Sequence, residues 1–190
     1  MSAIDDLFEA NVEYARDFNK GHLPMPPRRR VAILTCMDAR LVPSRQLGLD
    51  EGDAHVIRNA GGRAQDALRS LVISQQLLGT REVAVIHHTD CGMLTFRNAD
   101  LRARLRDGLG AEAGSDADRI DFLPFVDVEQ SVRDDVAFLR ASPLIPDDIA
   151  IRGFVYDVRT GRLSEVARGA EERIGVQPSE RSSTRPEATS

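Results

Sequence analysis

The chain has 190 residues, 42% hydrophobic and 29% charged, with a formal net charge of −5. That length suits one domain with its own hydrophobic core, and the composition is that of a soluble globular protein. The negative charge argues against a general nucleic-acid binder, and no apolar run of about 18 residues is present to span a membrane.

The first residues, MSAIDDLFEA, carry early acids and no apolar signal core, which points to the cytoplasm. Ile4, Leu7, Phe8, Val12, Ala15 and Phe18 recur at helical spacing, so an amphipathic N-terminal helix is predicted over about 3–20, closed by Gly21. The connector LPMPPRRR follows, and its three arginines read as a solvated lead-in rather than an anion site. VAILTC (31–36), HVIRNA (55–60) and VAVIHH (83–88) are apolar runs rich in β-branched residues, the pattern of buried strands. Ala64, Ala67, Leu68, Leu71, Val72 and Leu78 line one face of an intervening helix ended by Gly79. Strands alternating with helices predict an α/β fold, with a mostly parallel central sheet covered by helices on both faces.

Residues 100–122 are charged and rich in Gly and Ala, and read as an irregular surface excursion. Asp127 and Gln130 have capping-box spacing ahead of a helix carrying Val128, Val132, Val136 and Leu139, stopped at Ser142-Pro143. IAIRGFVYDV, a Thr160-Gly161 turn and RLSEVA then suggest a last strand and hairpin. One domain is expected over 1–175, and a disordered tail rich in Ser, Pro, Glu and Arg over 176–190.

Cys36 and Cys91 are the only cysteines, too few for a disulfide framework, which turns attention to metal binding or catalysis. Cys36 ends the first strand, His88 ends the third, and Cys91 follows three residues later. If those two strands are neighbours, the three side chains converge at the carboxyl edge of the sheet, where ligands collect. Two thiolates and one imidazole suit zinc (Zn2+), and three protein ligands leave the fourth tetrahedral position open. Adjacent strand residues face opposite ways, so only one of His87 and His88 meets the metal. The H-x-x-C spacing selects His88 and leaves His87 packed or hydrogen-bonded behind the strand. His55 opens the second strand, at the far end of the sheet, and His22 lies in a connector. In C-M-D-A-R (36–40), Arg40 can keep Asp38 ionised, and Asp38 can then take a proton from water at the metal. Gly61 and Gly62, just ahead of a helix, leave backbone amides open to an anion.

C-x-D-x-R at 36–40, R-N-A-G-G at 58–62 and H-x-x-C-G at 88–92 together resemble the three signature blocks of the β-class carbonic anhydrases, over residues 28–160. The stretch H-H-T-D-C-G-M at 87–93 resembles the small mycobacterial-type branch of that family. The resemblance implies zinc-dependent, reversible hydration of carbon dioxide to bicarbonate and a proton. It implies zinc ligands at Cys36, His88 and Cys91, and a catalytic pair at Asp38 and Arg40. In members whose pair breaks, the aspartate becomes a fourth ligand, so Asp38 is a conditional ligand in a closed state. Asn59, Ala60 and Gly61 match a loop lining the active site, and Gly92 joins them in the substrate pocket. A homodimer or dimer of dimers is also implied, with the N-terminal helix as an arm on its partner or packed on its own subunit. Members regulated by a second bicarbonate site carry a tryptophan shortly before the first zinc cysteine. This chain has no tryptophan, and Ile33 stands in that neighbourhood.

Two other functions remain open on the same residues. One is hydrolysis of carbonyl sulfide or carbon disulfide on the same scaffold, and the other is a non-enzymatic zinc- or bicarbonate-binding module. An intact Asp38–Arg40 pair argues against the module, because a structural zinc takes a fourth protein ligand.

Overall fold

The computed structural model describes residues 2–168, so the tail expected over 176–190 lies outside the described residues. In chain order the elements are α1 (Ala3–Arg16), β1 (Val31–Cys36), α2 (Pro43–Leu47), β2 (Ala54–Asn59), α3 (Ala64–Gln76), β3 (Glu82–His88), α4 (Asn98–Leu109), α5 (Ala111–Ala117), α6 (Val128–Ala141), β4 (Ala150–Tyr156) and β5 (Leu163–Arg168). The strands form a sheet ordered β2-β1-β3-β4-β5, parallel from β2 to β4, with β5 returning antiparallel on β4. From β1 the chain pairs first with β2 on one side and then with β3 on the other. The winding therefore reverses between β1 and β3, and a crevice opens at their carboxyl ends.

The main core lies on one face. Ala32 and Leu34 of β1, Val83 and Val85 of β3 and Ile151 of β4 meet Ala67 and Leu71 of α3 and Val132, Val136 and Leu139 of α6. Leu34, Leu71 and Leu139 are fully buried, so truncating any one to alanine would cost about 2–5 kcal/mol. The opposite face is covered more thinly than the strands led us to expect. There Ile33, Thr35, Ile86 and Tyr156 line a small cavity with Pro43, Gln46 and Leu47 of α2, while Val56 and Leu163 remain partly exposed. An apolar run marks a strand as buried without saying what buries it.

Several local expectations need correcting. Residues 100–122 are not irregular; they hold most of α4 and all of α5. Leu101, Leu105 and Leu109 make only a narrow stripe on α4, which is why its polarity hid the helix. The pair is held by Arg102, whose Nε and Nη2 donate to the carbonyls of Ala117 and Ile120, and by Arg106 on Asp118. Arg102 thus adds side-chain donors to carbonyls at and just past the end of α5. Arg28 and Arg29 lead into β1 exposed to solvent, as expected, and in addition both pair with the buried carboxylate of Asp53, at 2.8 and 3.0 Å, tying the connector to the start of β2. α1 stops at Arg16 and α3 at Gln76, each short of its predicted glycine. Asp127 caps α6 by accepting from the Gln130 backbone, but the Gln130 side chain runs forward to Asp134, so the box is half formed.

Candidate metal centre

Because β1 and β3 end side by side, Cys36 Sγ, Cys91 Sγ and a ring nitrogen of His88 all lie within 4.8 Å of one another. All three residues are buried, and the sulfurs are 4.0 Å apart. Two thiolates bound at about 2.3 Å to a tetrahedral zinc stand about 3.8 Å apart, so this spacing suits one shared ion. His88 Nδ1 donates to the Thr89 carbonyl at 2.9 Å, which fixes the tautomer and leaves the Nε2 lone pair for a metal. Nε2 is buried with no hydrogen-bond partner. A buried polar atom left without a partner is costly, and a metal ion would satisfy it. Two sulfurs and a nitrogen are a donor set that fits zinc.

The electrostatics around the triad favour a cation. A hydrogen bond with Cys91 lowers the Cys36 thiol against the cost of burial, and His88 and the backbone N–H groups of Asp38 and Gly61 lower it further. Gly61 N lies 3.3 Å from the Cys36 sulfur. Cys91 is pushed up by its bond with Cys36 and by burial. For His88, burial favours the neutral ring, but the nearby Cys36 sulfur and its charge outweigh that and raise the imidazole. A divalent ion would displace these protons and bring both sulfurs to thiolate.

Asp38 stands beside the triad, with Oδ2 3.8 Å from His88 Nε2. Arg40 grips it in bidentate fashion, Nε to Oδ1 at 2.9 Å and Nη2 to Oδ2 at 2.8 Å, and its backbone N–H adds a third bond. Those bonds hold the Asp38 carboxyl well below the usual carboxylate range. Arg58 fixes the backbone between them, donating to the carbonyls of Cys36 and Asp38 at 3.0 and 2.7 Å.

Residues 31–163 match the carbonic anhydrase family model. The chain is also 46% identical, over 167 residues, to Beta-carbonic anhydrase 1 of Mycobacterium tuberculosis, a match covering 87% of this chain and 99% of that protein. The chain belongs to the β-carbonic anhydrase family. A crystal structure of carbonic anhydrase from Streptococcus mutans superposes with a TM-score of 0.81 at 54% identity, covering 88% of this chain and 99% of that one. A carbon disulfide hydrolase of Acidithiobacillus thiooxidans is 34% identical over 181 residues, covering 84% of this chain and 87% of that protein.

In this β-carbonic anhydrase the R-N-A-G-G block builds a turn across the end of β1. The Asn59 side chain closes that turn on the Arg63 backbone, accepting from its N–H at 2.7 Å and donating to its carbonyl at 2.9 Å. Ala60 is exposed, while Gly61 and Gly62 are buried with φ of 79° and 71°. A Cβ on Gly62 would lie 2.9 Å from the Thr35 carbonyl carbon, so only glycine lets the turn pass this close to the strand. Gly92 opens a short 3-10 turn after Cys91, and its carbonyl accepts from Thr95 Oγ1 at 2.7 Å. His87 is fully buried and hydrogen-bonded, with Nδ1 2.7 Å from Ser131 Oγ and Nε2 3.2 Å from the Gly62 carbonyl. His55 sits at the amino end of β2 against Ser74, away from the metal centre.

Some contributors gave no sequence signal of their own. Met93 and Phe125 pack with Cys36, Leu41 and Cys91 as an apolar flank. Asp135, on α6, accepts from Ala64 N and Arg63 Nη2, each at 2.9 Å, and lies 3.2 Å from His87 Nε2. It braces the glycine turn from behind. Arg58 could have been found, since it opens the R-N-A-G-G block.

Proposed function

We propose that the protein hydrates carbon dioxide reversibly to bicarbonate and a proton, using zinc held by Cys36, His88 and Cys91 with Asp38 and Arg40 as the catalytic pair. One observation carries this: three buried metal donors stand beside a carboxylate that is already held by an arginine. Three protein ligands and a separate ionised carboxylate suit a reacting water better than a structural ion. Zinc at this position would supply Lewis acidity, lowering the pKa of a water from about 15.7 to about 7.

The chain's own groups do the rest. Asp38 accepts the proton at its carboxylate and orients the attacking water. Arg40 keeps that carboxylate ionised and away from the metal, and its guanidinium stays charged throughout. The Gly61 N–H supports the Cys36 thiolate. Met93 and Phe125 supply an apolar flank for a small linear substrate and exclude bulk water. Asn59, Ala60, Gly61 and Gly92 shape the pocket, Asn59 by bracing the turn. If Asp38 left Arg40, its carboxylate would take the fourth position and close the site.

Carbon disulfide is the alternative substrate, since hydrolases of that molecule are among the relatives. The identity of 46% to the mycobacterial carbonic anhydrase, against 34% to the Acidithiobacillus hydrolase, favours carbon dioxide. A cytoplasmic setting, where thiols stay reduced, fits two free cysteines. Self-association as a homodimer or dimer of dimers fits the exposed apolar residues of α1. Among the described residues no helix is long and apolar enough to cross a membrane.

Elemental analysis and stopped-flow carbon dioxide hydration on the same preparation test the assignment. One zinc per chain and fast hydration are expected, and replacing Cys36 or Cys91 with serine, or His88 with alanine, should abolish both. Metal-free wild-type protein would refute it, as would a kcat/KM for carbon disulfide or carbonyl sulfide far above that for carbon dioxide.

A further inference from the structure

Asp90 lies between His88 and Cys91 with φ of 55°, a left-handed backbone that glycine adopts freely and other residues rarely do. A backbone outlier beside a reactive centre invites the question of what it achieves. Here both the Asp90 carboxylate and its carbonyl meet Arg40: Nη1 donates to Oδ2 at 2.7 Å, and Nη2 donates to the main-chain oxygen at 2.8 Å. The same guanidinium donates through Nε and Nη2 to Asp38. Four of the five guanidinium N–H donors are thereby committed, one edge of the fork to Asp38 and the other to Asp90. Arg40 is about half exposed, with 47% of its side chain accessible. At that exposure a single ion pair holds a long side chain weakly, whereas bonds on both edges block rotation of the plane.

We propose that Asp90 is a positioning residue for the Asp38–Arg40 pair, anchoring Arg40 so that Asp38 stays clear of the metal position and within reach of the reacting water. This rests on the function proposed above for the same site. Asp38 Oδ2 is only 3.8 Å from His88 Nε2, so a small displacement brings it to the metal. Asp90 also stands between His88, at the end of β3, and Cys91, so Arg40 is fastened to the segment whose ion it must leave open. Without Asp90 the Arg40 fork keeps one edge only, and the population with Asp38 on the metal rises.

Asp90→Gly separates this role from a structural one, because glycine relieves the backbone while deleting the carboxylate. The variant should be at least as heat-stable as the wild type and hold full zinc. Its kcat should fall roughly three- to tenfold with little change in KM, as expected when part of the population is closed. Azide binding to the cobalt-substituted protein, followed by visible absorption, should weaken by a similar factor because Asp38 competes for the open position. Asp90→Asn keeps a side-chain acceptor and tolerates the left-handed backbone, so it should recover most of both losses. An Asp90→Gly protein that equals the wild type in turnover and azide affinity would overturn the proposal. So would one that loses zinc or stability, since that outcome marks a structural residue. If the wild type hydrates no carbon dioxide, the functional assignment fails, and azide affinity still judges the positioning role without reference to turnover.

Discussion

Asp38 has two claims on its carboxylate, the Arg40 guanidinium at 2.8 Å and the metal position next to His88 Nε2, 3.8 Å away. In the proposed mechanism, which of them holds it decides whether the site is open to water. Asp38→Asn should retain zinc yet lose about 10²- to 10⁴-fold in kcat, because an amide cannot act as the proton acceptor. Arg40→Ala should release Asp38 towards the metal and lower activity with zinc still bound; full activity in both variants would remove the pair from the mechanism. The pH dependence follows from the direction of the Asp38 shift. Its carboxyl is depressed in the folded protein, chiefly by Arg40, so the pairing is fully present above the ordinary value of 3.8 and fades only as pH falls through the lower folded value. Carboxyl 13C NMR should therefore show no titration of Asp38 above about pH 4, and any activity lost at milder acidity belongs to the metal ligands or the reacting water. At this scale the sequence is informative wherever chemistry is local. Cys36, Asp38 and Arg40 fall on alternate positions at a strand end, and His88 and Cys91 are three apart.

Among the elements, the turn from Ala60 to Gly62 ties the sheet to the candidate metal centre. It crosses the end of β1, is braced by Asn59 and Asp135, and presents Gly61 N–H to Cys36 Sγ. Gly62→Ala combines a positive φ with a Cβ 2.9 Å from the Thr35 carbonyl carbon and 3.0 Å from Cys36 N. We expect a loss of about 2–4 kcal/mol in urea unfolding, with weaker zinc retention in a chelator competition, because backbone on one side or the other must shift. Unchanged zinc affinity would show that the turn does not support Cys36. β1, β3, β4, α3 and α6 were legible because each buries enough apolar surface to impose its period on the sequence. α4 was not, since its burial is slight and its contacts run through arginine head groups that look like solvated charge. In the connector before β1 the arginines are exposed as expected, but their pairing with Asp53 was not legible, because it depends on where β2 begins.

For the whole molecule, the unanswered surface is α1, which has no buried residue and leaves Ile4, Leu7 and Phe8 each at least 70% exposed. A stripe of that kind on a helix calls for a covering surface. Self-association is the outcome we expect, and Leu7→Ser with Phe8→Ser should weaken it by at least about 10²-fold, given about 1.5–3 kcal/mol for each large apolar side chain buried. Sedimentation velocity across a concentration series reads this directly, and a fully active wild-type monomer would rule it out.

The sequence by itself determined the α/β class, the strands and the residue types at their ends. Those features are carried by period, by hydrophobic runs and by motifs a few residues long, all of which survive in a one-dimensional string. Tertiary structure alone decided what stands behind them. Asp90 meets Arg40 across 50 residues, and Asp135 meets the glycine turn across 71. Such contacts depend on which strands lie adjacent, on the sign of φ at one loop residue, and on which helix covers which face. Spacing along the chain encodes none of these, because they arise only once the sheet has set its order.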